Sequence, residues 1–538
     1  MKRSVRCMLA SLLLALGLIA PPAGAADDET LVSNLRQLNE GSFDDKAAAV
    51  RTIAESGHPR AVPVLQALLD SRLYFRIAGG GIVIADALDA GYSVTDPVSG
   101  EALGEATQYE IRRVSINNAV RTEARKMLAL AGLSSPDRQA RAQAVERLLA
   151  SPDPAIAERM EGLIDDEPVA GIRRDMALAI GLARLEAPEP ATRLAALETL
   201  DGSLRNRVRN EVRRVARNDP APAVQARAAD ILEGIEERRD LWGLGEQIFF
   251  GLSAGSVLML AAFGLAITFG VMGVINMAHG ELIMLGAYTT YVVQLLMPNA
   301  IDYSLFVAIP AAFLVTGAFG VAIERGVIRF LYGRPLETLL ATFGLSLILQ
   351  QLVRTVFSPL NRQVSTPEWM SGSIEINAAL SLTLNRLYVI AFAFLVFGLL
   401  LVLFKRTTLG LKVRAVSQNR AMARAVGVSS SRIDALTFGL GAGVAGLAGV
   451  ALSQITNVGP NMGQAYIIDS FLVVVFGGAG SLWGTLVGGL SLGVLNKFLE
   501  PETGAVLAKV LVLVFVILFI QRRPQGLFPQ RGRAASEG

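Results

Sequence analysis

At 538 residues, with 52% of them hydrophobic and a positive mean hydropathy, the chain is too apolar for an ordinary soluble enzyme and long enough for two or more domains. A net charge of only +3, with arginines interleaved among acids, presents no basic surface that asks for nucleic acid. Two histidines rule out a His-rich metal site, and a single cysteine rules out an internal disulfide, so neither a metal nor another cofactor is expected.

The first 25 residues read as a secretory signal: Lys2, Arg3 and Arg6 form a positive start, 8–20 an apolar core, and Ala23, Gly24 and Ala25 a small-residue cleavage site. The apolar core is short for a membrane anchor, so cleavage and export of the following 26–240 are expected. Cys7 lies inside this signal, which leaves the mature chain without a thiol even in an oxidising compartment.

Residues 26–240 are rich in Arg, Asp, Glu and Ala and carry apolar residues at helical spacing over 45–55, 61–69, 136–150, 154–164, 170–185, 190–200 and 222–235. Pro, Asp or Gly marks each break. Short helix pairs of this kind bury their apolar faces only by stacking, and the pattern resembles HEAT-like repeats with an irregular period. Between them, 79–85 and 92–95, flanked by turns, suggest a small β insertion. No catalytic constellation stands out; His58, followed by Pro59, reads as a turn or cap residue.

From 245 the composition changes to run after run of Leu, Val, Ile, Phe, Ala and Gly. Spans are expected near 247–269, 281–297, 304–323, 337–355, 387–404, 434–455 and 506–521, each about the length that crosses roughly 30 Å of hydrocarbon. The apolar stretch 469–495 is broken by Gly477, Gly478, Gly480 and Ser481. Basic connections after the third span (Arg325, Arg329, Arg334) and the fifth (Lys405 to Arg432), and a basic tail at 529–538, place these on the cytoplasmic side. With the N-terminal domain outside, the number of crossings is odd, so 469–495 is a helical hairpin or a re-entrant loop beside the pathway. The fold class is therefore all-α: a polytopic helical membrane protein of seven to nine spans, preceded by an exported helical domain. Small residues four apart (Gly251 and Gly255, Gly439 and Gly443, Ala442 and Gly446, Gly489 and Gly493) provide close helix contacts.

Two features suggest function. The stretch 410–428 mixes Leu411, Ala415, Val416, Ala423 and Val426 with Lys412, Arg414, Arg420 and Arg424 and ends at Gly427; it docks either on lipid head groups or in a protein groove. Thr338, Thr342, Ser346 and Gln350 recur every four residues and form one polar stripe, which either lines a path or bonds to its own helix carbonyls. Asn276, His279 and Ser481 are further polar candidates, and no Asp or Glu is expected inside the spans.

The stretch 270–288, with Asn276-Met277-Ala278-His279-Gly280-Glu281 at its centre, resembles the signature after the first span in permeases of the branched-chain amino-acid class of ABC importers, the LivH type. The segments 342–350, 414–427 and 474–481 resemble the family in the same order, so the likeness covers 245–528. A fused exported helical domain is similar to that of the urea-importer branch, permease B subunit. The resemblance implies a transport subunit rather than an enzyme, in a bacterial inner membrane, working with a second homologous permease, two ABC ATPases and a periplasmic binding protein, with urea as the solute and branched-chain amino acids or short amides as the alternative. An ATP-independent channel or carrier is the rival class. The resemblance makes 410–428 the ATPase-coupling loop, with Arg414, Ala415, Asn419, Ala423 and Gly427 as its residues. Of the importer loop pattern Glu-Ala-Ala-x-x-x-Gly, only Ala423 and Gly427 match. No Gly-Lys dipeptide occurs, so the chain has no phosphate-binding loop of its own.

Overall fold

A computed structural model of the chain describes residues 24–528, apart from 57, 89 and 90, and divides into two compact units after Glu237. Of the signal read over 1–25, residues 1–23 lie outside the described residues, as does the tail 529–538.

The first unit starts with helices α1 (Gly24–Glu40), α2 (Phe43–Glu55) and α3 (Ala61–Leu69). Ser42 and Asp45 close a capping box at the start of α2, each side chain taking the other's backbone N–H. His58 spans its turn as expected, with Nε2 2.8 Å from Asp28 and Nδ1 accepting from Arg60 N at 3.1 Å. A five-stranded antiparallel sheet follows: β1 (Leu73–Arg76), β2 (Ile82–Leu88), β3 (Gly91–Thr95), β4 (Ala102–Ala106) and β5 (Ile111–Arg113), in the order β4-β3-β2-β1-β5. It is larger than the two stretches read from sequence. Residues 79–81 belong to a turn, because Gly79 (φ 97°) and Gly80 (φ 68°) take left-handed backbone between β1 and β2.

Six more helices complete the stack: α4 (Asn118–Leu133), α5 (Arg138–Ala150), α6 (Pro154–Glu161), α7 (Ala170–Arg184), α8 (Pro190–Leu200) and α9 (Asn206–Asn218). The sequence reading missed α1, α4 and α9. In α9 only Val208, Val212 and Val215 are buried, a stripe thin enough to be hidden among nine charged or amide side chains of its 13 residues. Two buried ion pairs repeat the same wiring. Arg141 holds Glu167 through Nε and Nη2 and donates Nη1 to the carbonyls of Ser135 and Pro136. Arg193, 52 residues on, holds Asp219, 52 residues on from Glu167, and donates to Ala187 and Pro188 O. Each carboxylate also caps the next helix, through Val169 N or Ala221 N. The bond from Arg193 holds the Asp219 carboxyl below the usual range, and Arg141 does the same to Glu167.

The second unit takes over within α10 (Pro222–Met272), whose second half is apolar. It continues with α11 (His279–Leu296), α12 (Ile301–Gly326), α13 (Pro335–Phe357), a hairpin of β6 (Ser373–Asn377) and β7 (Leu380–Thr383), α14 (Leu384–Arg406), α15 (Thr408–Gln418), α16 (Arg420–Ala425), α17 (Ser430–Ser453), α18 (Met462–Gly477), α19 (Leu482–Thr503) and α20 (Ala505–Arg522). Among the described residues seven helices are long and apolar enough to cross a membrane: α10, α12, α13, α14, α17, α19 and α20. The set differs from the one expected. α11 falls outside it and α19 enters, while α18 has only 16 residues, about 24 Å of helix, short of a hydrocarbon core.

α17 is the spine of this unit, buried along nearly its whole length. Its neighbours reach it through bare backbone: a Cβ on Gly286 of α11 would collide with Gly446, one on Gly264 of α10 with Gly441, and one on Gly320 of α12 with Ala442. The expected small-residue pairs do pack helices, Gly251 against Val494 and Gly255 against Gly489 and Gly493. In lipid, where apolar faces gain nothing by leaving the solvent, this close approach is what favours association.

Candidate functional site

The chain reverses where α10 ends. Gly273 takes φ 65°, and the non-helical segment 273–278 runs back along α10 until His279 Nε2 meets Ala261 O at 2.9 Å. Ala261 lies eleven residues before Met272, so α11 starts about 16 Å inside the length of α10. α18 starts at the same place, since a Cβ on Gly280 would collide with Gly463 O. Two helix N-termini thus meet inside the bundle, and the non-helical backbone at depth is 273–278, not the glycine break expected to hold that position.

The polar stripe of α13 faces this meeting point. Thr338, Thr342, Ser346 and Gln350 are all buried. Thr342 Oγ1 accepts from Met277 N at 3.1 Å, while Ser346 Oγ (3.0 Å) and Gln350 Nε2 (3.2 Å) both donate to Glu281 Oε1. One further step of four along the stripe, Arg354 donates to Asn461 Oδ1 at 2.7 Å. Asn276 Oδ1 accepts from Ala278 N, which fixes the turn into α11. Thr338 bonds only carbonyls of its own approach, Leu331 and Arg334, so at this residue the self-bonding reading holds.

Glu281 is the residue sequence reasoning set aside. It stands at an end, the third residue of α11, as does Glu324, third from the end of α12, yet the two are only 1% and 3% exposed, so an acid near a helix end here is buried rather than solvated.

The glycine break of 477–481 sits elsewhere. Gly477 packs on Gly484, which folds α18 and α19 back on each other. Gly478 (φ 103°) and Gly480 (φ 79°) need left-handed backbone, and Ser481 Oγ caps α19 by accepting from Gly484 N at 3.1 Å. Its neighbours are the chain after α20, through Phe528 N to Gly477 O at 3.0 Å, and a cavity of about 380 Å³ lined also by Lys405, Arg414 and Gln418. These four residues therefore belong to the end of the bundle that carries the basic loop and do not join the stripe.

The basic loop is two helices, not one. α15 and α16 are separated at Asn419, whose Oδ1 caps α16 by accepting from Met422 N at 2.9 Å. Val413, Val416 and Ala423 turn inward onto Ile433, so Val416 and Ala423 are unavailable to a partner. The outward apolar residues are Leu411, Met422 and Val426, each more than 60% exposed. Arg414 donates to Phe404 O, and Ala415 packs at the edge of the inner cluster. Gly427 closes α16 at φ 89°. Arg420, which the sequence reading counted only as a charge, holds Asp434 at the base of α17 through both terminal nitrogens (2.6 and 3.0 Å), bonds the Tyr332 hydroxyl and lies over its ring. Burial acts to lower the Arg420 pKa, but Asp434 and Tyr332 outweigh it and raise it, so this guanidinium is always charged.

Among the described residues no group of His, Cys, Asp and Glu has the arrangement of a metal site. A family model described as branched-chain amino acid transport system / permease component matches residues 247–521. The chain is similar to the high-affinity branched-chain amino acid transport system permease protein BraD of Pseudomonas aeruginosa, 31% identical over 292 residues that make up 52% of this chain and 94% of that one. It is likewise similar to LivH of Salmonella typhimurium, 32% identical over 293 residues (52% and 94%), and to the ribose import permease protein RbsC of Escherichia coli, 28% identical over 263 residues (47% and 77%). No solved structure matches the chain.

Proposed function

The chain belongs to the branched-chain amino acid transport permease family and is a multi-pass membrane subunit of an ABC importer, not an enzyme; from this we propose that it forms half of a solute path through a bacterial inner membrane, coupled to a separate ATPase by its α15–α16 loop. The observation that carries the coupling is the exposure of Leu411, Met422 and Val426 on a loop wired by Arg420 to α17, the spine against which α11 and α12 pack. Push on that apolar face is delivered to the spine through a bidentate pair rather than through a flexible tether. In this reading the loop and the C-terminus are cytoplasmic, residues 26–240 are a periplasmic HEAT-like domain, and a second permease, two ATPases and a binding protein complete the importer. The 52-residue recurrence of the Arg141–Glu167 and Arg193–Asp219 wiring supports the repeat character of that domain.

For the solute, two observations point apart. The relatives aligned with the membrane unit are named for branched-chain amino acids, and on that unit alone these are the better supported cargo. Alignments that take 94% of the relatives but 52% of this chain leave the relatives no room for a counterpart of the N-terminal unit. That extra domain resembles the urea branch, and for the whole chain urea is our proposal, with branched-chain amino acids second. Uptake of labelled urea and labelled leucine at low external concentration, in cells with and without this chain, decides between them: loss of leucine uptake alone refutes urea. For coupling, Arg420→Ala is expected to cut uptake about tenfold while the protein still inserts, and the exchange Arg420→Asp with Asp434→Arg to restore part of it. Full uptake in Arg420→Ala would remove this residue from the coupling route.

A further inference from the structure

Where α11 and α18 meet, two side chains are buried without complete partners. Glu281, 1% exposed, accepts from Ser346 and Gln350 with Oε1 only, and its Oε2 has no donor. Asn276, also 1% exposed, uses Oδ1 on Ala278 N and leaves its Nδ2 with no acceptor. His279 adds a third open atom: Nε2 faces the Ala261 carbonyl and so carries the proton, which leaves Nδ1 as an acceptor without a donor. An unpaired buried polar group is costly, and three of them between 276 and 281 are not retained for packing.

The surroundings suit a carboxylate whose partner comes and goes. Glu281 stands in the first turn of α11, and Gly463 in the first turn of α18 lies against it; a Cβ there would come within 2.8 Å of Oε2. Two helix N-termini therefore direct positive partial charge at one buried acid, and the wall facing its free oxygen is bare backbone. Arg354, further along the stripe, is engaged with Asn461, and among the described residues no cation is bonded to Glu281. On one side, Asn361, Asn457, Asn461, Met462 and Tyr466 line a cavity of about 310 Å³ whose lining includes Met462, the residue before Gly463.

We infer that Glu281, with Asn276, is the solute-recognition point of the path: Glu281 Oε2 accepts an N–H from the passing solute and Asn276 Nδ2 donates to its C=O, so the site selects small solutes that carry both. The inference rests on the permease reading above and adds the residue that reads the cargo. Urea and a zwitterionic amino acid share this chemistry, the first with a neutral amide N–H and the second with an ammonium. The Gly280–Gly463 contact closes over the site in this conformation, and its parting admits the solute from the 310 Å³ cavity.

The test uses the full chain in its own host with the native copy deleted, comparing Glu281→Leu and Glu281→Gln at equal membrane level. Glu281→Leu removes the acceptor and is expected to lower uptake at least tenfold for whichever solute the wild type imports. Glutamine still accepts an amide N–H but offers an ammonium no charge, so Glu281→Gln loses about tenfold for leucine and no more than about threefold for urea. Should both variants fail to insert, a Ser346→Cys variant in a Cys7→Ser background supplies the readout: a water-soluble thiol reagent labels it only during turnover, and the imported solute slows that labelling. Wild-type uptake in Glu281→Leu, or labelling of Cys at 346 that the solute does not slow, overturns the assignment. A wild-type cargo lacking N–H groups, such as ribose, overturns it while leaving the permease reading intact; absence of any ATP-dependent uptake in the wild type fails the permease reading itself.

Discussion

The two units handle buried polar groups in opposite ways. In the N-terminal unit Arg193 and Asp219 are both nearly sealed from solvent, yet each guanidinium nitrogen and carboxylate oxygen finds a partner, two helix ends included. In the membrane unit Glu281 is as deeply buried but is bonded only by neutral donors, and one of its oxygens is open. The first arrangement completes itself and locks one helix stack on the next. The second is left incomplete, and an incomplete buried site is the one a ligand can complete. Helix contacts differ in the same sense: valine and leucine clusters pack the first unit, whereas glycine against glycine packs the second.

The sharpest way to break the comparison is Gly286→Leu. Its side chain has nowhere to go but through the backbone of Gly446, so loss of most folded protein from the membrane is expected, read as a fall of roughly tenfold or more in the monodisperse peak after mild detergent extraction. Leucine at Gly171, in the first unit and with open space around it, should leave the yield unchanged.

Next in size is Gly427→Val. No atom lies near a Cβ there, so folding and insertion survive, but a branched residue at φ 89° distorts the close of α16. Uptake is expected to fall at least fivefold, with ATP hydrolysis retained. Normal transport by a well-inserted variant would separate Gly427 from coupling.

Breaking the self-completed pair has a moderate effect. Asp219→Ala leaves the Arg193 guanidinium buried and unpaired and removes the cap on Ala221, so the region 187–235 should lose hydrogen-exchange protection and melt roughly 5–10 °C earlier, with the membrane helices unaffected. Equal melting would show that the carbonyls of Ala187 and Pro188 suffice for Arg193.

The smallest expected effect is that of acid. The folded-state pKa values of Glu167 and Asp219 lie below their unfolded ones, so the stability they contribute is present above the ordinary carboxylate range, near pH 4, and is lost as pH falls through their lower folded values. Proteolysis between 136 and 235 should be flat from pH 8 to about pH 5 and accelerate only below about pH 4. Acceleration already at pH 6 would contradict this assignment.

Much was legible in order along the chain. Apolar runs near span length, basic connections and four-residue glycine spacing announce a helical membrane bundle, because hydropathy and close packing in lipid are local demands on each segment. Helix starts at Pro154 and Pro190 were equally legible, since a proline at the first helical turn is a local signal. The spacing of Thr338, Thr342, Ser346 and Gln350 determined that they share one face. What they face was decided only by the return of 273–278 along α10, which carries Glu281 into the bundle and turns a residue three positions into a helix from an end residue into a buried one. Likewise, the pattern of 410–428 specified an amphipathic basic loop, but which apolar residues stay outside depended on Ile433 of α17 covering Val416 and Ala423. Periodicity fixes directions around one helix axis; burial and charge compensation are properties of neighbours far away in the chain, and those are set only when the helices meet.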